Sequence, residues 1–171
     1  MANVWLPPAE YIETIARATS YACLYFTDTA GRPVQLRATY ATETWQWPGG
    51  NMDPGETPWQ CAVRECLEET GMIFEGEPRL LAAHFISHQG AAWPANHIGF
   101  VFDGGTLTDE QIDAFVLDPS EHTEVSVRTM EEWRATMTPV NFDRLWEIDA
   151  ARRAGTVVYM ERQVVGKSRL A

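Results

Sequence analysis

The stretch from Gly50 to Met72 reads G-N-M-D-P-G-E-T-P-W-Q-C-A-V-R-E-C-L-E-E-T-G-M. Its second half predicts a helix from Pro58 to Thr70. Thr57 is a favourable N-cap, Pro58 suits the first helical position, Gln60 completes a capping box and Gly71 supplies the stop. At about 100° per residue, Trp59, Ala62, Val63, Cys66 and Leu67 gather on one side, and Glu65, Glu68 and Glu69 on another. Like charges three and four residues apart destabilise a helix by roughly 0.2–0.5 kcal/mol per pair. All three glutamates also lie in the C-terminal half, where the macrodipole disfavours anions. Arg64, four residues before Glu68, offsets part of this. A divalent cation would offset more, because hard cations prefer clustered carboxylate oxygens. Three glutamates alone read first as a solvated acidic face.

The residues around them decide between the two readings. The segment resembles the Nudix box, G-x5-E-x7-R-E-U-x-E-E-x-G-U with U aliphatic, through Gly50, Glu56, Arg64, Glu65, Cys66, Glu68, Glu69, Gly71 and Met72. The departure is Cys66, where an aliphatic residue is usual; free cysteine behaves as a small hydrophobe. The preceding Trp47-Pro48-Gly49-Gly50 is also similar to the family's approach to its box. The resemblance implies a loop-helix-loop on a mixed sheet, in an α/β/α sandwich of the α/β (α+β) class. It implies hydrolysis of a nucleoside diphosphate linked to a further group, with Mg2+ or Mn2+ as cofactor. Glu65 and Glu69 match the family's principal metal ligands, Glu68 a further ligand or the group that handles the water, and the Gly50 carbonyl another ligand. Arg64 and Glu56 match a brace between loop and helix. Glu68 is nominated as the general base, with Arg64, Glu65 and Glu69 completing the catalytic set. Glu121 and Glu124, in the later segment D-P-S-E-H-T-E-V, are candidates for an extra ligand or base, with ordinary surface acids as the alternative.

Outward from the box, strands and helices interleave without regular repeats. Pro7 to Ala18 reads as a short helix, Tyr21 to Phe26 as a strand, and Val34 to Tyr40 as its hairpin partner. Thr44 to Trp47 is a short strand stopped by Pro48, Gly49 and Gly50. Leu80 to Ser87 and His97 to Phe102 read as strands joined by a loop. Asp109 to Phe115 reads as a short helix, Glu124 to Arg128 as a strand and Glu131 to Met137 as a helical turn. Phe142 to Arg153 is an amphipathic helix with Phe142, Leu145, Trp146 and Ile148 as its apolar members. Thr156 to Met160 is a final edge strand.

With 171 residues, 45% of them apolar, the chain suits one compact domain, residues 1–171. The net charge of −11 argues against a nucleic-acid polymer as partner and favours a small anionic substrate met by cations. Three cysteines without a CxxC pair argue against a zinc site or disulfide framework and suit the cytoplasm. No apolar run is long enough for a spanning helix, so no membrane partner is expected. Homodimerisation is common in the family, but the sequence locates no interface.

Trp47 and Trp93 are candidates for stacking a nucleobase, with core packing as the alternative. His84 and His88 share a predicted strand, a poor arrangement for a metal pair. Cys61 lies near a helix N-terminus, which can lower a thiol pKa, but no base is near it in sequence. The signatures of the ADP-ribose, NADH and coenzyme A subfamilies are absent. A nucleoside triphosphate, a nucleotide sugar and an ADP-ribose-type substrate all stay open. A non-catalytic domain serving as nucleotide sensor or binding module is the other reading, and the intact glutamates argue against it.

Overall fold

The computed structural model of the chain describes residues 5–40, 44–89 and 95–165. Its centre is β1 (Ala18–Asp28), in which every residue from Ala22 to Asp28 is buried. A strand buried on both faces must be covered from both sides. Around it a mixed sheet forms in the order β4 (Gly49–Asn51), β1, β6 (Asn96–Leu107), β5 (Leu80–Gln89), β8 (Val158–Val165). β1 runs parallel to β6 and antiparallel to β4, and β5 runs antiparallel to β6 and parallel to β8. A second sheet has the order β3 (Trp45–Gln46), β2 (Val34–Ala38), β7 (His122–Val127).

The alternation of β1 sorts the core into two layers. Ala22, Leu24 and Phe26 pack with Cys61, Ala62 and Cys66 of α2 (Pro58–Thr70). Cys23 and Tyr25 pack with Leu145 and Ile148 of α5 (Pro139–Ala154). The main sheet therefore lies between two helices, as the expected α/β/α sandwich requires. The remaining helices are short: α1 (Pro8–Tyr11), α3 (Asp109–Asp113) and α4 (Met130–Thr136). Among the described residues, no helix is long and apolar enough to cross a membrane.

Several expectations are corrected. The helix expected over Pro7 to Ala18 ends at Tyr11, followed by a 3-10 turn at Ile12–Thr14. Tyr11, Ile12 and Ile15 are all exposed, so their helical spacing meets no partner face. β2 is not the hairpin partner of β1. It pairs with β3 and β7, and an isolated bridge from Thr27 to Pro33 joins the end of β1 to the residue before β2. β6 continues past Phe102 to Leu107, because a register shift opposite Tyr25 and Phe26 absorbs Gly104. Asp103 is pinned there by Arg152 Nε at 2.8 Å and Arg79 Nη1 at 3.0 Å. Trp146, expected among the apolar members of α5, is 45% exposed, with Phe142 and Arg153 beside its ring.

His84 sits on β5 with Nδ1 3.2 Å from the Tyr21 hydroxyl and only 6% exposed. The side chain of His88 lies outside the described residues. Burial, reinforced by the charge of Arg144, pushes the His84 imidazole down to about 4. The unfolded chain thus binds a proton below pH 6.5 that the folded chain refuses until about pH 4. The neutral His84 contribution is whole above pH 6.5 and is lost as pH falls towards 4. Urea unfolding at pH 7 and pH 4.5 is expected to show wild type losing about 2–3 kcal/mol more than His84→Gln does. Parallel pH profiles for the two proteins would refute this.

Candidate metal and catalytic site

The limits of α2 are set locally. Thr57 Oγ1 accepts from the Gln60 amide at 3.3 Å, and the Gln60 side chain accepts from the Thr57 amide at 2.9 Å. Gly71 closes the helix in the left-handed region, at φ 69°. The buried stripe differs from the expected one. Cys61, Ala62, Cys66, Glu69 and Thr70 are buried, whereas Leu67 is 47% exposed.

Arg64 stands at the junction of loop and helix. Its Nε donates to Glu56 Oε1 at 2.9 Å and its Nη2 to Glu56 Oε2 at 3.0 Å, a two-pronged pair. Nη1 donates to Glu65 Oε1 and Glu68 Oε2, each at 2.8 Å, and Nη2 also reaches the Asn51 carbonyl at 3.2 Å. Glu56 Oε2 accepts from the Asp53 amide at 3.0 Å as well. The Arg64 hydrogen bonds, with this amide, hold the Glu56 carboxyl down at about 2.

Glu69 is 1% exposed and is received by backbone and by β7. Its Oε2 accepts from the Gly49 amide at 2.9 Å, and its Oε1 lies 3.0 Å from His122 Nε2. Burial pushes the carboxyls of Glu65 and Glu69 above the ordinary glutamate value. Burial acts to lower the His122 imidazole, but the Glu69 carboxylate outweighs it and holds His122 above its usual value. His122 arrives there because the preceding turn is tied to the end of α2. The Val116 amide donates to Thr70 O at 2.8 Å, the Asp118 amide to Glu69 O at 3.3 Å, and the His122 amide to Asp118 O at 2.8 Å.

The same turn brings Glu121 in. One ligand atom each from Glu69, Glu121 and His122 lie within 4.8 Å of one another. Glu124 is not gathered: it reaches across from β7 to Arg37 on β2, 3.2 Å away. Trp47 is 4% exposed, edge-on to Tyr25 and faced by Arg144 at 4.4 Å. Trp93 lies outside the described residues. Cys61 donates to the Gly50 carbonyl at 3.3 Å, and burial pushes its thiol up to about 11, against the direction a helix N-terminus would give. His122 was missed by the sequence reading. Its signal was adjacency to Glu121, but nothing in the sequence measures its distance from Glu69.

The donor set suits a hard divalent cation. Its carboxylates come from Glu69 and Glu121, which converge with His122 to within 4.8 Å, and from Glu65 and Glu68, which Arg64 holds, while the Gly50 carbonyl accepts from the Cys61 thiol. A cradle is also built: a Cβ on Gly50 would press into the Glu65 carboxylate. Because that carboxylate is the free end of a flexible side chain, Gly50→Ala is expected to keep the fold and displace Glu65. Roughly tenfold loss of hydrolysis, with little change in Tm, is the expected result of a rate assay beside a melting curve. Gly49→Ala makes the contrast, since its Cβ would meet the backbone of Ala22 and Cys23 and should destabilise the fold itself.

Comparison with known proteins bears on the fold and the family. The chain is 56% identical over 32 residues to the RNA pyrophosphohydrolase of Brucella anthropi, a match covering 19% of this chain and 18% of that protein. The chain thus spans less than a fifth of the length of the curated relatives it matches. Among solved structures, the MutT protein of Methanosarcina mazei Go1 aligns with TM-score 0.62 at 22% identity, over 82% of this chain and 96% of that one. A C. elegans Ap4A hydrolase binary complex aligns with TM-score 0.59 at 22% identity, over 81% and 99%. At such identities the likeness is one of fold. The family model of the NUDIX domain matches residues 16–145, most of the chain, and the protein therefore belongs to the NUDIX family.

Proposed function

We propose that the protein is a divalent-metal-dependent pyrophosphohydrolase that cleaves a phosphoanhydride bond in a small nucleotide. The observation that carries this reading is the placement of Glu65 and Glu68 on Arg64, which also braces Glu56, together with a buried Glu69 that converges with Glu121 and His122. The similar proteins are, by their names, an RNA pyrophosphohydrolase and an Ap4A hydrolase, and the reading extends hydrolysis of this kind to this chain. A nucleoside triphosphate, a nucleotide sugar or an ADP-ribose-type molecule fits it.

Glu65 and Glu69, with the Gly50 carbonyl, would hold Mg2+ or Mn2+. The bound ion supplies charge neutralisation at the phosphates and a lowered pKa for the attacking water. Glu68, 56% exposed at its side chain, is free to swing from Arg64 and take the water's proton. Arg64 fixes Glu65 and Glu56 while Glu68 moves. Glu69 stays in place through the Gly49 amide and His122. Glu121, 4.8 Å or less from its neighbours, stands ready as a further ligand.

The test is phosphate release from nucleoside triphosphates, oxidised dGTP, ADP-ribose, nucleotide sugars, dinucleoside polyphosphates and NADH, each with Mg2+, Mn2+ or EDTA. Turnover of at least one substrate with metal and none with EDTA is expected. Silence from folded protein that still binds Mn2+ would overturn the enzyme reading in favour of a nucleotide sensor.

A further inference from the structure

A second feature of the molecule is unrelated to the carboxylates. Between the small sheet and α5 lies a cavity of about 160 Å³, lined among others by Gln35, Trp45, Trp47, Asn141 and Arg144. Gln35, Trp45 and Trp47 are 1%, 5% and 4% exposed. Gln35 Nε2, Trp45 Nε1, Trp47 Nε1 and Arg144 Nε are all buried with no hydrogen-bond partner among the described residues. All four are donors, and none of the lining residues contributes a buried acceptor in the same condition. A buried donor without a partner costs roughly 1–3 kcal/mol, so four around one cavity are not incidental to what it holds.

Arg144 sets the charge. Its guanidinium lies 4.4 Å from the Trp47 ring centre and 5.8 Å from that of Tyr21, and among the described residues Arg144 forms no ion pair, although Asp143, Glu147 and Glu161 line a neighbouring pocket with it. Cys23, its other neighbour, is neutral, since burial pushes that thiol up to about 12. A neutral acceptor such as a carbonyl would satisfy one or two N–H groups and leave the cation uncompensated. A tetrahedral oxyanion offers several acceptor oxygens and the opposite charge together.

We infer that this cavity is a subsite for a compact oxyanion of the phosphate type, with Arg144 as its charged anchor and Gln35, Trp45 and Trp47 as its neutral donors. It deepens the hydrolase reading, and rests on it only where the anion is taken to be a phosphoryl group of the substrate. Trp47 leads through Pro48 directly into Gly49 and Gly50, so occupation of the cavity abuts the loop that carries the metal site.

The test uses the whole protein in EDTA at constant ionic strength, titrated with inorganic phosphate and read by tryptophan fluorescence, since two of the donors are indoles. A saturable change is expected. Arg144→Gln should raise the Kd about tenfold or more, and Gln35→Met several-fold. Arg144→Lys, which keeps the charge and loses the fork, should fall between. Cooperative melting shows which variants are folded, and if Arg144→Gln is not, Arg144→Lys and Gln35→Met decide. Absence of saturation in the wild type, or a Kd unmoved in the folded variants, overturns the inference. AMP as a second probe identifies the source: tighter binding than phosphate marks a nucleotide's phosphoryl group, and equal or weaker binding marks a free anion. Because EDTA silences metal chemistry, failure here leaves the hydrolase reading standing, and phosphate binding without any hydrolysis would sink that reading alone.

Discussion

Glu69→Gln is expected to lower kcat by about 10³-fold or more, while the protein in EDTA at alkaline pH melts no earlier than wild type. The substitution keeps the shape and an amide oxygen to accept from the Gly49 N–H, so the contact that fixes the side chain survives. It removes a negative charge that burial already disfavours, since the Glu69 carboxyl stands above its usual value for that reason. An isosteric neutral group relieves this cost, and where His122 is neutral the glutamine amide N–H can donate to its Nε2 in place of the ion pair, so at alkaline pH the apo protein should be no less stable. Metal reverses the comparison. Ligand binding to the folded state raises Tm by mass action, so wild type should gain Tm with Mn2+ and the variant should gain little. Activity lost with a retained Mn2+ shift would mean that Glu69 acts without touching the ion. Full activity with a full shift would remove it from the site.

The box was legible because its signals are local. Thr57, Pro58, Gln60 and Gly71 fix the ends of α2 within one turn each, and the helix runs from Pro58 to Thr70 as read. The same grammar stands at α5, where Thr138, Pro139 and Gly155 bound the helix, yet the apolar period begins at Phe142 and drew the reading three residues inward. Periodicity reports the side chains that pack; caps report where the backbone turns.

Long-range pairing was not legible. Val34 to Ala38 alternates as any half-buried strand does, and nothing in that pattern says whether its partner is the preceding strand or β7, some ninety residues on. The burial of Glu69 was likewise hidden. Helical periodicity assigns glutamates outward, whereas this one is drawn in by a backbone amide and an imidazole that only the assembled fold supplies. Leu67 is displaced to solvent on the same helix. A functional site is where such local rules give way.

Arg64→Ala should cost about 10²-fold in activity and also destabilise the protein, unlike Glu69→Gln. Arg64 donates to Glu56, Glu65 and Glu68 at once, and without it these carboxylates face one another uncompensated. The pH dependence separates this from a simple loss of packing. In wild type the Glu56 carboxyl is held at about 2, chiefly by the Arg64 hydrogen bonds, so the folded state binds its proton later than the unfolded chain. That contribution is present above the ordinary glutamate value of 4.5 and is lost as pH falls towards 2. The variant lacks it at neutral pH, so the stability gap should be widest above pH 5 and close on acidification. Urea midpoints across pH 7 to 3 would show the two curves converging, and a gap that stays constant would mean the brace acts through packing rather than charge. Mn2+ should narrow the gap at neutral pH from the other side, because a cation among Glu65, Glu68 and Glu69 replaces the positive charge that the substitution removes. A variant that Mn2+ stabilises more than it stabilises wild type would thus place the arginine and the metal on the shared carboxylates of Glu65 and Glu68.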